Sequence, residues 1–130
     1  MLPTILLAML LSACAATSGG PGKENVANRA QARWDALLAQ DYEGAYSYLS
    51  PGIRSTMSAT DFELDFRLRR VQYLSAEYRE HSCDEDVCTV KIQLGYRIVR
   101  PLAALPEWES KIVVEEQWIK SAGKWWYLPE

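Results

Sequence analysis

Nowhere does this chain hold the roughly 20 consecutive apolar residues that a membrane-spanning helix needs. A basic excess is missing too. With a formal charge of −3 and a pI near 5.2 there is no cationic face to release counterions from phosphate, which excludes a general nucleic-acid binder. Histidine occurs once, as His81, two residues before a cysteine, and its expected place is a sheet edge. There is no phosphate-cradling glycine loop, no nucleophile beside a base, no metal-ligand cluster and no internal repeat. The expectation is a domain with no catalytic residue assigned and no metal or cofactor.

What is present begins with an uncharged, mostly apolar run from Leu2 to Leu11, followed by Ser12, Ala13 and Cys14. Its length suits the core of an export signal, and the two small residues let an extended backbone enter a peptidase site. In "LSAC" the chain resembles the lipobox of bacterial lipoproteins. That resemblance implies diacylglycerol on the Cys14 sulfur, cleavage after Ala13 and acylation of the new amino terminus. One feature departs from the pattern: no Lys or Arg lies between Met1 and Cys14, and an upstream start is the corresponding expectation. The alternative is an ordinary cleaved signal, or a buried apolar helix with an incidental cysteine. Ala15, rather than Asp, after the cysteine implies sorting to an outer membrane, facing the periplasm. The chain is thus expected to consist of a signal peptide over 1–13, a lipidated tether over 14–24 ("CAATSGGPGKE") and one folded domain over 25–130.

Two further cysteines, Cys83 and Cys88, lie in "HSCDEDVCTV". In an exported chain such a pair is expected to form a disulfide, here across a hairpin whose turn spans Asp84 to Val87. The spacing does not suit a redox motif. The acidic trio Asp84-Glu85-Asp86 lacks the alternating ligands and central glycine of a calcium loop, and reads as a solvated turn.

Three helices are expected first. Val26, Ala30, Trp34, Leu37 and Leu38 recur at helical spacing, with Arg29, Gln31, Arg33 and Asp35 on other faces, ending near Gln40. Tyr42, Ala45, Tyr46 and Leu49 continue the spacing after an Asp41 cap, until Pro51-Gly52 stops the helix. Thr60 and Glu63 form a capping box for a third helix to about Arg70, with Phe62, Phe66 and Arg69 on one side. The period then drops to two. Val71 to Tyr78, Cys88 to Ile98, a segment around Ile112 to Ile119, and "WWYL" read as four antiparallel strands. Pro101 and Pro106 mark the long connection, and Ser121 to Lys124 the last turn. Helices followed by strands give an α+β fold, with the helices packed on one face of a meander.

The segments "RWDALLAQDYEGAYSYLSPGIRS" and "EEQWIKSAGKWWYLPE" are similar to those of the nuclear transport factor two-like superfamily, the cone-shaped fold shared with ketosteroid isomerase and scytalone dehydratase. Trp34, Asp41, Tyr42, Ala45 and Tyr46 match its helical motif, and Gly123 with Trp125 its strand ending. The resemblance spans about residues 25–130 and implies a curved four-stranded sheet whose concave wall carries Tyr96, Ile112, Val114, Glu116 and Trp118, with Trp125 or Trp126 nearby. Pairing through the open sheet face, giving a homodimer, is implied by the same analogy.

Glu116 stands out because a carboxylate among inward apolar positions must be paired, or have a pKa fit for acid or base work. An arginine of the third helix, Arg67, Arg69 or Arg70, is the expected partner. Five tryptophans in so small a domain add candidate anchors for a partner, Trp108 and one of Trp125 and Trp126 above all. These features lead to a membrane-tethered, non-enzymatic binding or assembly module with an envelope protein partner. The alternatives are a small isomerase, dehydratase or hydrolase built on Glu116, and a carrier of an apolar small ligand.

Overall fold

The structure is a computed structural model that describes residues 25–99 and 107–130. The expected signal peptide, the tether with Cys14, and the prolines at 101 and 106 lie outside the described residues. Helix α1 (Val26–Leu38) starts on Asn25, whose side chain accepts from the Asn28 amide at 2.9 Å. Its buried stripe is Val26, Ala30, Arg33, Trp34 and Leu37, spaced i, i+4, i+7, i+8 and i+11. Arg33 therefore belongs to the core face, against the expectation that placed it elsewhere. The helix closes in a Schellman turn: Asp41 N–H reaches Ala36 C=O and Gln40 N–H reaches Leu37 C=O, with Gln40 at φ 57°.

Helix α2 (Tyr42–Tyr46) is capped by Asp41, whose carboxylate accepts from Gly44 N–H at 3.0 Å. A Cβ on Gly44 would stand 2.2 Å from that carboxylate, so glycine is what lets the cap close. The expected continuation to Pro51 does not occur. Pro51 instead opens a separate short helix, α3 (Pro51–Arg54), on a Ser50 cap. Proline at a first helical position loses no hydrogen bond, so Pro-Gly starts an element here instead of stopping one. Helix α4 (Ala59–Arg67) is capped by Ser58 accepting from Asp61 N–H, not by Thr60. Glu63, expected to complete the Thr60 box, pairs with Arg67 one turn later. Among the described residues the helices thus number four, where three were expected.

Strands β1 (Val71–Asp84), β2 (Val87–Ile98), β3 (Trp108–Ser121) and β4 (Lys124–Leu128) form one antiparallel sheet in sequence order. The fold is α+β: helices against one face of an open four-stranded meander. The first two strands run to Asp84 and Val87, so their turn is only Glu85-Asp86, shorter than the four residues expected. Trp108, a candidate anchor, opens β3 opposite Ile98. The Ala122-Gly123 turn has φ of 52° and 76°, the positive values a right-twisted hairpin needs at both central positions. Edge strand β1 is shielded at one point by Gln31, which donates to Ala76 C=O and accepts from Tyr78 N–H. At the other edge, Tyr127 N–H donates to Tyr48 C=O, tying β4 to the helical layer.

Along β2 the inward residues Cys88, Val90, Ile92 and Leu94 are buried, and β3 adds Trp118. Trp34, Leu37, Leu49 and Phe62 close over them from the helices. Among the described residues no helix is long and apolar enough to cross a membrane.

Candidate functional site

The wall that β3 presents to the helices carries Val114, Glu116 and Trp118, facing Ile92, Val90 and Cys88 of β2 in register. Glu116 is 5% exposed. Three donors converge on its carboxylate. Arg33 Nη1 donates to Oε2 at 3.0 Å, Trp34 Nε1 to the same oxygen at 2.8 Å, and Trp118 Nε1 to Oε1 at 3.3 Å. The partner is thus an arginine of α1, and Arg67, Arg69 and Arg70 are not involved. Arg67 pairs with Glu63 within α4, and Arg69, just past its end, with Asp65. Arg33 is itself 3% exposed, and its guanidinium lies over the Tyr127 ring at 3.6 Å from the centroid. Its Nε, buried as well, has no hydrogen-bond partner among the described residues.

This arrangement follows from the sequence locally. Arg33 and Trp34 are adjacent on α1, so their side chains diverge by about 100° around the helix and approach Glu116 from two sides. Glu116 and Trp118, two apart on a strand, share a face, and Tyr127 stands opposite Trp118 in the β3–β4 register. Both oxygens of this carboxylate are engaged by donors fixed in the scaffold. Two indoles and a guanidinium offset its desolvation by hydrogen bonds and charge.

Next to this corner lies an open cavity of about 450 Å³. Its apolar walls are Trp34, Phe62 and Phe66 from the helices and Leu94, Val114 and Tyr127 from the sheet. Arg69 stands in the wall, donating to Asp65 Oδ2 at 2.7 Å and to the Tyr73 hydroxyl at 3.3 Å. Burial works against the Arg69 charge, yet its bonds to Asp65 and Tyr73 outweigh it and hold the pKa above the usual arginine value. Burial pushes the Tyr127 phenol up, with Arg33 opposing and Glu116 reinforcing the shift, so its hydroxyl stays protonated.

Of the residues expected along the concave wall, Glu116 and Trp118 are buried and Val114 lines the cavity. Ile112 does not: it is 49% exposed, beyond the reach of the helices. Tyr96 is half-buried outside the cavity, opposite Tyr73 and Ser110. Trp125 packs against the core, whereas Trp126 lies between the guanidinium groups of Arg29 and Arg54. Trp108 is largely exposed. His81 is exposed on β1, beside the Tyr78 hydroxyl. Cys83 and Cys88 are opposite neighbours with sulfurs 1.94 Å apart, at disulfide bonding distance. Among the described residues no group of three or more His, Cys, Asp or Glu is placed to hold a metal ion.

Arg33, Tyr73 and Tyr127 escaped the reading of the sequence as site residues. For Arg33 the signal was available: it fills the i+7 place of the stripe begun by Val26, and only its charge argued for another face.

No protein-family model matches the sequence, and no curated protein matches it. The structure is similar to the solution structure of a SEC-C motif containing protein from Rhodopseudomonas palustris, with a TM-score of 0.53 and 17% identity over 73% of this chain and 68% of that one. At that identity the likeness is one of fold, and it places this chain among α+β domains of related architecture.

Proposed function

We propose that the chain is a lipoprotein of the bacterial envelope, anchored through lipid on Cys14 to the periplasmic side of the outer membrane. Its domain, read as a nuclear transport factor two-like cone, serves there as a non-enzymatic binding or assembly module for an envelope protein or a small ligand. The anchor rests on Leu11-Ser12-Ala13-Cys14 and on the small-residue segment that follows. The observation that carries the non-enzymatic part is the state of Glu116, whose two oxygens are both bound by Arg33, Trp34 and Trp118. A general acid or base must reach the proton it transfers, and this carboxylate faces its own scaffold.

The cavity beside Glu116 favours one further reading, a carrier of an apolar ligand; an isomerase, dehydratase or hydrolase would need Glu116 released from its donors. The test is membrane fractionation and intact mass of the chain expressed in a bacterium, beside its Cys14→Ala form. The expected product starts at residue 14, carries lipid, lacks two hydrogens for Cys83–Cys88, and leaves the membrane on Cys14→Ala. Equal membrane association of both forms would overturn the anchor.

A further inference from the structure

Two phenol hydroxyls, those of Tyr73 and Tyr127, belong to residues in the cavity lining. Arg33 is one lining residue, but its Nε, unpartnered among the described residues, is sealed from solvent and stays with the packed corner. The Tyr73 hydroxyl accepts from Arg69, and a phenol O–H is a donor as well. Burial pushes the Tyr127 phenol up, so its hydroxyl keeps a proton to donate. On the acceptor side, Glu116 is occupied by its three donors and Asp65 by Arg69. Glu115 faces Lys91 across the sheet, and Glu130 is the remaining carboxylate of the lining.

Charge sets the second constraint. The ionised groups of the lining are two pairs, Asp65 with Arg69 and Glu116 with Arg33, and the exposed Glu130; the Glu115 side chain turns to Lys91 on the other face of the sheet. Both guanidinium groups and the Asp65 and Glu116 carboxylates are bound to each other, so an anion or a cation entering competes for a partner that is already taken. The aromatic and aliphatic walls favour rings, and the volume falls in the range of sites for small organic molecules.

We infer that this cavity binds an uncharged, largely aromatic small molecule bearing one strong oxygen acceptor, of the amide or ester carbonyl type. The ring lies between Phe62, Phe66 and Val114, and the oxygen accepts from the hydroxyls of Tyr73 and Tyr127. The inference deepens the binding-module reading and rests on it, but not on the lipid anchor.

The probe is 4-phenylbutanamide, compared with 4-phenylbutyrate and 4-phenylbutylammonium, which share its ring and chain and differ in head-group charge. Binding to the full chain carrying Cys14→Ala is followed by calorimetry and by intrinsic tryptophan fluorescence, with the probe assayed afterwards for chemical change. The amide is expected to bind about tenfold more tightly than either ion, the difference one buried hydrogen bond supplies. Val114→Trp, which fills the cavity, should abolish binding, and Tyr73→Phe should weaken it about fivefold without filling any space. Absence of amide binding, or equal affinity for all three probes, overturns the inference. Because Tyr73→Phe keeps the ring, an affinity unchanged in that variant overturns the donor assignment even if Val114→Trp does not fold. Conversion of the amide would instead overturn the non-enzymatic reading, and membrane fractionation remains a separate result.

Discussion

Leu94 and Ile112 stand opposite each other on neighbouring strands and on the same face of the sheet, yet Leu94 is 4% exposed and Ile112 49%. Strand alternation decides which face a side chain joins; the reach of the helices decides whether that face is covered. Over the half of the sheet nearer the Cys83–Cys88 end of β2, α1 and its neighbours bury Val90, Ile92 and Trp118, and even a carboxylate and a guanidinium. Toward the other end Ile98, Trp108 and Ile112 carry the same inward pattern and stay exposed. Identical periodicity thus yields a packed corner and an open one.

The largest effect should come from the packed corner. Glu116→Ala leaves Arg33 buried without its partner, and urea unfolding should show a loss of about 3–5 kcal/mol. The same deletion at Glu80, whose pairing with Lys91 is solvent-exposed, should cost less than about 1 kcal/mol. Next comes the pair that defines the contrast: Leu94→Ala should cost about 2–5 kcal/mol and Ile112→Ala about 1 kcal/mol or less. Similar losses at the two positions would mean that the far end of the sheet is covered after all. Reduction of Cys83–Cys88 closes the order of structural tests with a loss of about 2 kcal/mol, since the loop it constrains is short. Equilibrium unfolding with and without dithiothreitol measures it.

The smallest effect is a pH slope. The Tyr127 phenol has a folded pKa above its unfolded value of 10.0, so the stability tied to its proton is present below pH 10 and lost as pH rises through the folded value. Tyr127→Phe should flatten the fall in stability above pH 10 and leave neutral pH within about 1 kcal/mol. An unchanged alkaline slope would show that the phenol is not held protonated by burial.

Much of the architecture was legible because local rules and packing agree. The α1 stripe, the Asp41 cap, the alternation of β2 and the opposition of Cys83 and Cys88 all follow from spacing. Two boundaries were misread where one residue type serves two purposes: Pro51 opens a helix, and Ser58 outranks Thr60 as a cap. The candidate site was half legible. Glu116 is conspicuous as a lone acid on an inward strand face, but its partner is not, because a charged residue on an apolar helical stripe reads as solvent-facing until something meets it. Ile112 shows the converse, an apolar inward residue that nothing among the described residues covers. Pairings between elements far apart in sequence, such as Arg33 with Glu116, depend on how α1 crosses the sheet, and spacing within one element does not contain that angle.

The central claim is that Glu116 serves the architecture. A double-mutant cycle of Arg33→Met and Glu116→Gln, read by urea unfolding, tests it most directly. The account predicts a double variant more stable than the sum of the single losses implies, with a coupling of at least about 1.5 kcal/mol. Additivity within about 0.5 kcal/mol would contradict it, and would return Glu116 to the pool of groups free to act on a ligand.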